Sequence, residues 1–369
     1  MKIKSIEVFA IRLPFITPFI ISYHTYMDMP SIIVKMETDN GIIGFGEATP
    51  DEHVTGETWE STYAVLTKTL APSLIGYNPF QIEKMHDKMN QIVLDVPSAK
   101  AAIDIACYDI MGKATGQPVY NLLGGQYHEK LEVPKVISIL TPEEMAEEAK
   151  TALANGYTSL KLKVGTNKEL DFERICAVRA AVGSGIPIKV DANQGWVNSS
   201  NTMYVLDRIK ACEIELIEQP VVASDIDALL EVKQKTSIPV MIDEGLHGTK
   251  ELKEVIVKRA ADKINIKLMK CGGLYPASQL VHQAELGGID CQIGSMVESA
   301  VASAAGLHLA LAKKSIHSNE LVGPLMFSDD IAKLNFEIPY VYLSEAPGLG
   351  IEVDEKKLKE LTTESFLIQ

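Results

Sequence analysis

The chain has 369 residues, enough for one large catalytic domain and a smaller companion, and its 46% hydrophobic and 23% charged residues exclude disordered and fibrous classes. A formal net charge of −14 excludes a nucleic-acid binder, which needs a basic face to meet phosphates. The five cysteines (Cys107, Cys176, Cys212, Cys271, Cys291) are scattered and never form CxxC, which argues against a disulfide framework or a structural zinc site.

The amino terminus, Met1 to Glu7, alternates apolar and polar residues like a strand and lacks the apolar stretch of a secretory signal. No run approaches the roughly 18 apolar residues of a membrane span, so the expected compartment is the cytoplasm. A strand near 2–13 is followed by the polar and aromatic run Ser22-Tyr23-His24-Thr25-Tyr26. A hairpin comes next: Ser31 to Thr38, a turn at Asp39-Asn40-Gly41, and a return from Ile42 to Glu47, with Asn-Gly accepting positive φ at the turn. Helical patterns follow near 58–70, 80–92 and 98–114, and breakers from Gly112 to Gly125 mark a domain boundary.

From about residue 131 short β-rich runs alternate with amphipathic helices. The strands are read at Val133–Leu140, Ser159–Val164, Ile188–Asn193, Ile214–Glu218, Val240–Glu244, Ile264–Leu268 and Asp290–Ile293. A repeat of roughly 25–30 residues is one strand–helix unit, and such units in series make a parallel sheet. With no glycine-rich phosphate loop after the first strand, a closed barrel is favoured over an open doubly wound sheet. The expected fold is α/β: a (β/α)7β TIM-like barrel over 126–320, and an α+β capping domain formed by 1–125 and completed by the tail, 321–369.

Barrel sites lie where strands end, so polar residues closing a strand are the informative ones. Asp191, Glu218 and Asp243 each close an apolar run on consecutive strands. Three like charges in one mouth repel unless a cation binds them, and all-oxygen ligands suit magnesium rather than zinc, since no His or Cys stands beside them. Lys161 and Lys163 are two apart on a strand and share a face at about 7 Å. At an effective dielectric of about 20 they repel by about 2 kcal/mol, which is expected to lower one lysine's pKa towards the range of a working base. Lys267, four strands further round, belongs to the opposite wall. A lysine on each wall with a metal between suits removal of a proton beside a carboxylate and its return to the other face.

These pieces, in this order, resemble the enolase superfamily in its muconate-lactonizing subgroup over essentially the whole chain. The matching segments are Gly41 to Glu47, Pro118 to Gly125, Leu160-Lys161-Leu162-Lys163, Val190 to Trp196, Glu218-Gln219-Pro220 and Asp243-Glu244. The resemblance implies one Mg2+ per subunit on Asp191, Glu218 and Asp243, with Lys163 and Lys267 as the two acid/base catalysts, a pairing of base and metal known for such sites. It also implies that Lys161 lies beside the substrate carboxylate, and that Asn193 and Glu244 orient ligands and bases.

Lys267, and Gln292 rather than histidine on the seventh strand, set the chain apart from mandelate-racemase and acid-sugar dehydratase patterns. The loop Gly294-Ser295-Met296-Val297-Glu298-Ser299 is similar to that of epimerase and racemase types, which brings Ser295, Met296 and Glu298 to the substrate. Dipeptide epimerases carry Asp-x-Asp-Gly after the eighth strand; here Glu320-Leu321-Val322-Gly323 has valine at the second acid. A buried ammonium without its counterion is costly, so an N-acylated, N-succinyl amino acid is the preferred small-molecule carboxylate. Glu320 keeps dipeptides as the alternative, and an o-succinylbenzoate synthase-type lyase is a third possibility. In that family the segments near 15–30 and 47–58 close over the barrel mouth, so the resemblance implies that Tyr26, Asp28, Asp51 and Glu52 lie near it, and acids there favour a lysine or arginine side chain. A homo-oligomer, with no nucleic-acid or membrane partner, completes the expectation.

Overall fold

A computed structural model describes all 369 residues. Strands β1 (Ile3–Ile20), β2 (Thr25–Thr38) and β3 (Ile43–Ala48) form an antiparallel meander that opens the capping domain. One face of this sheet is apolar, with Ile6, Val8, Ile32, Val34 and Met36 fully buried. Helices α1 (Ile82–Ile92) and α2 (Pro97–Thr115) cover it. The region read as a helix near 58–70 runs on to Leu74, through a π-helical turn at Leu66–Leu70.

Glycine lets β3 and α2 approach to backbone distance. A Cβ at Gly46 would stand 1.9 Å from the Ala102 carbonyl oxygen and 2.9 Å from the Ala106 nitrogen. Both are main-chain atoms of a buried helix and cannot step aside. Gly46→Ala is therefore expected to destabilise the protein by about 3 kcal/mol or more, visible as a lowered midpoint in urea or thermal melts.

The barrel contains eight parallel strands: β4 (Lys135–Ile137), β5 (Leu160–Lys163), β6 (Ile188–Asp191), β7 (Leu216–Glu218), β8 (Val240–Ile242), β9 (Lys263–Ile266), β10 (Asp290–Ile293) and β11 (Ile316–Asn319). Seven helices connect them, α3 (Pro142–Ala154), α4 (Lys168–Val182), α5 (Ser199–Arg208), α6 (Ile226–Lys235), α7 (Thr249–Lys258), α8 (Leu274–Gly287) and α9 (Ala300–Ala312), which gives the expected (β/α)7β order. At the seam between β4 and β11, the Asn319 side chain donates to the Glu132 carbonyl at 2.8 Å. Strand β11 is absent from the runs read as strands, because Ile316-His317-Ser318-Asn319 holds a single apolar residue. The tail finishes as β12 (Thr362–Ile368), antiparallel to β1 and in register from Ile6↔Ile368.

Helix α9 is buried almost throughout and carries His308, whose Nδ1 accepts from the Tyr120 amide at 3.1 Å. Burial pushes this imidazole down to about 4. Between the unfolded value of about 6.5 and that figure, the unfolded chain binds a proton that the folded one refuses. The neutral histidine's contribution is therefore whole above about pH 6.5 and lost as pH falls towards 4, by at most about 3 kcal/mol. His308→Gln, with no proton to gain, is expected to flatten that part of the profile, read from urea midpoints between pH 7 and 4.

Candidate active site

The strand ends bring the expected residues together. Lys161 and Lys163 close β5 on its inward face, Asp191 and Glu218 close β6 and β7, Asp243 follows β8, and Lys267 follows β9. All six side chains are buried. Lys163 donates to Asp191 Oδ2 at 2.7 Å and to Asn193 Oδ1 at 3.1 Å. Asn193 in turn donates to Glu244 Oε1 at 2.9 Å. On the other side Lys267 pairs with Asp243 Oδ2 at 2.8 Å. The two lysines thus sit against different acids and border one pocket, with Asn193, Glu244, Ser295 and Met296 in its wall.

Lys161 lies deeper. Its ammonium touches Asp191 Oδ2 at 3.0 Å, Glu218 Oε2 at 2.6 Å and Glu320 Oε2 at 2.5 Å. Burial pulls this lysine down, but the three carboxylates outweigh it and hold it well above the ordinary value. The mutual repulsion expected to lower one of the paired lysines is overridden, for Lys161, by the acids around it. Lys267 is likewise held above its ordinary value: burial opposes its charge, and Asp243, Glu244 and Glu218 prevail.

The acids divide. Burial, then the Asp191 charge, drive Glu218 well above the carboxylate range. Burial also raises Asp191 and Asp243, yet Lys161 and Lys163 bring the first down to about 2, and Lys267 and Lys270 hold the second well below its usual value. Glu244 is pushed up to about 7 by burial and by Asp243 and Asp191. Asn265 Nδ2 bridges Glu218 Oε1 at 2.8 Å and Asp243 Oδ2 at 3.3 Å, so these carboxyls are neighbours. Ammonium groups of Lys161, Lys163, Lys267 and Lys270 hold the oxygens of these acids. The donor chemistry fits a hard divalent ion nonetheless: all-oxygen, fully buried and on adjoining strands, with one carboxyl disfavoured in its charged form.

Above the lysines the cap loops form the rest of the wall. Ser22 Oγ donates to the Asn193 carbonyl at 2.8 Å, tying the loop between β1 and β2 to the end of β6. Tyr23, Tyr26 and Asp51 line the pocket. The Tyr26 hydroxyl donates to Asp51 Oδ2, while Oδ1 accepts from the His53 and Val54 amides at 2.8 and 3.1 Å. Two acids expected at the mouth do not line the pocket. Asp28 pairs with Arg12 at 2.8 Å, both partly exposed, and Glu52 is exposed. Arg12 takes the Asp28 carboxylate, and Glu52 sits at the solvent side of the turn that Asp51 caps.

Ser295 and Met296 line the pocket, but Glu298 acts behind them, accepting from the Ser295 hydroxyl and from the Met296 amide at 2.8 Å. Glu320 is spoken for by Lys161, with Oε1 left unpaired. Two residues not foreseen complete the site. Asn265 shares the inward face of Lys267, two positions on, and alternation could have revealed it. Lys270, in the helical turn Leu268–Cys271, reaches back to Asp243 Oδ1 at 2.5 Å, and strand periodicity does not extend to it.

A buried carboxylate–lysine mouth beneath an α+β cap defines the class. The chain belongs to the mandelate racemase/muconate lactonizing enzyme family of the enolase superfamily, matching the family's N-terminal domain over residues 5–124 and the enolase C-terminal domain-like model over 144–357. It is 59% identical over 362 residues, 98% of each chain, to N-succinyl-L-Arg/Lys racemase of Bacillus cereus. The crystal structure of N-succinyl Arg/Lys racemase from Bacillus cereus superposes with a TM-score of 0.99 at 57% identity, covering 100% of both chains. A dipeptide epimerase from Enterococcus faecalis, complexed with Mg and the dipeptide L-Leu-L-Tyr, matches with a TM-score of 0.92 at 37% identity, over 95% of this chain and 100% of its own. The protein is an isomerase of the racemase and epimerase type. No helix is long and apolar enough to cross a membrane.

Proposed function

We propose that the protein is a magnesium-dependent racemase of N-succinyl amino acids with basic side chains, lysine and arginine. The observation that carries this is the shared pocket of Lys163 and Lys267, which reach it from β5 and from the end of β9 and are anchored on different acids. Asp191, Glu218 and Asp243 are the residues that would hold magnesium. Bound magnesium would supply positive charge to the substrate carboxylate as the α-carbon loses its proton.

The chain's own residues do the rest. Lys163 takes the α-proton on one face and Lys267 returns one on the other, and the roles exchange for the opposite enantiomer. Lys161 faces the substrate carboxylate. Asn193 joins Lys163 to Glu244 and so orients that base. Asp51, the one acid of the cap loops lining the pocket, meets the cationic side chain, with Tyr26 holding its carboxylate.

Dipeptide epimerisation is the second reading, favoured by the unpaired Oε1 of Glu320. Against it, the ion pair with Lys161 already neutralises that acid, and Val322 offers no second carboxylate. N-succinyl-L-lysine, N-succinyl-L-arginine and a dipeptide panel are to be incubated in heavy water with magnesium. The expected outcome is deuterium at the α-carbon and loss of optical rotation with the two succinyl compounds. Turnover of dipeptides alone would establish the second reading, and silence with every N-acyl amino acid would sink the first.

A further inference from the structure

Glu47 is fully buried in β3 of the capping domain, and it has no place in the proton transfers. Both of its carboxylate oxygens are engaged. Oε1 accepts from Ser31 Oγ at 2.7 Å, from Thr49 Oγ1 at 3.3 Å and from the Ser299 amide at 2.9 Å. Oε2 accepts from Ser299 Oγ at 2.6 Å and from the Ala302 amide at 3.0 Å. Ser31 and Thr49 are cap residues, whereas Ser299 and Ala302 form the start of α9 in the barrel.

The first turn of a helix leaves amides without intrahelical partners, and its positive end favours a carboxylate. In α9 that demand is met largely from outside. Ser299 Oγ takes the Val301 amide at 3.1 Å, Asp330 Oδ2 takes Ala300 at 3.0 Å, and Glu47 takes Ser299 and Ala302. The residues just before this turn are Ser295, Met296 and Val297, which line the pocket beside both lysines. Their loop is tightly specified. Val297 has φ +66°, and a Cβ at Gly294 would stand 2.3 Å from Asn265 Oδ1.

We infer that Glu47 is a positioning residue for substrate binding: by capping α9 from the other domain, it fixes the Ser295–Val297 loop against the substrate and ties the seating of the cap to the shape of the barrel mouth. The inference rests on the racemase assignment above for what is bound, but not for the contact itself. Loss of Glu47 frees the loop without moving Lys163 or Lys267, which are held by Asp191 and Asp243. A loop that touches substrate equally in ground and transition states changes KM more than kcat.

The test compares Glu47→Gln with Ser31→Ala in the full-length magnesium-loaded protein. Glutamine replaces one accepting oxygen by a donor that faces the α9 donors, whereas Ser31→Ala removes only a cap-side bond. Amide hydrogen exchange is measured over residues 294–303 and over β1, β2, β3 and α2, together with KM and kcat on N-succinyl-L-lysine. In Glu47→Gln, exchange at 294–303 is expected to rise about tenfold with the cap elements unchanged, and KM to rise about tenfold with kcat altered far less. Ser31→Ala should resemble the wild type. If Glu47→Gln does not fold, Ser299→Ala removes the hydroxyl contact from the helix side and is read in the same way. Unchanged exchange at 294–303, or a rise spread evenly over the cap, overturns the inference, as does kcat falling as far as KM rises. An inactive wild type would sink the racemase assignment alone, because the exchange measurement needs no substrate.

Discussion

Lys163→Ala and Lys267→Ala are each expected to lower racemisation of N-succinyl-L-lysine by at least about a thousandfold, while exchange of the α-proton with heavy water survives for one enantiomer in each variant. The reason is geometric. Each ammonium has its own acid, Asp191 or Asp243, so removing one lysine leaves the other in place on its side of the pocket. The remaining base can take and return a proton on its own face, which exchanges the hydrogen without inverting the carbon. The surviving enantiomer should be opposite in the two variants, as followed by proton NMR. Equal exchange of both enantiomers in either variant contradicts the opposed arrangement.

Chelating divalent metal is expected to cost as much, and Glu218→Gln should reproduce most of that loss with metal present. The Glu218 carboxyl is driven up by burial and by the Asp191 charge, and Asn265 holds it beside Asp243. A divalent cation would relieve that repulsion and gain three carboxylate ligands. Because it binds only the folded chain, saturating magnesium also stabilises, by about 2.7 kcal/mol at a hundred times Kd. Calorimetric titration of the wild type should show a single site, and Glu218→Gln should weaken it. Full activity in chelator, or an undiminished site in the variant, would remove magnesium from the scheme.

Most of this architecture was legible because barrel strands announce themselves twice, as apolar runs and as polar residues closing them. Lys161, Lys163, Asp191, Glu218 and Lys267 all obey that pattern and appear where spacing placed them. Strand β11 did not announce itself, since its polar Ser318 and Asn319 side chains serve Gln292 and Glu132. Asp28 and Glu52 were misplaced for a different reason. The direction of an acid near a strand end or in a turn depends on which neighbour it meets, and for Asp28 that neighbour, Arg12, lies sixteen positions away in sequence. Lys270 and Glu47 escaped because their partners come from segments that no local period connects, Glu47 and Ser299 being 252 residues apart. The protonation pattern was the least legible part. Repulsion between two lysines follows from their spacing, but the Glu320 that joins two other acids around Lys161 comes from beyond β11.

The pairing of β12 with β1 has a consequence for biosynthesis. Ile6 lies opposite Ile368, so the cap sheet spans almost the whole length of the chain. On the ribosome the strand–helix units can collapse as they emerge, whereas β1 keeps one unpartnered edge until Thr362–Ile368 has emerged. A fragment ending before Thr362 would hold every lysine and carboxylate of the catalytic mouth and still leave that edge open to strand-to-strand association. Closure of the cap sheet thus waits for β12, which is made after every residue of the catalytic mouth.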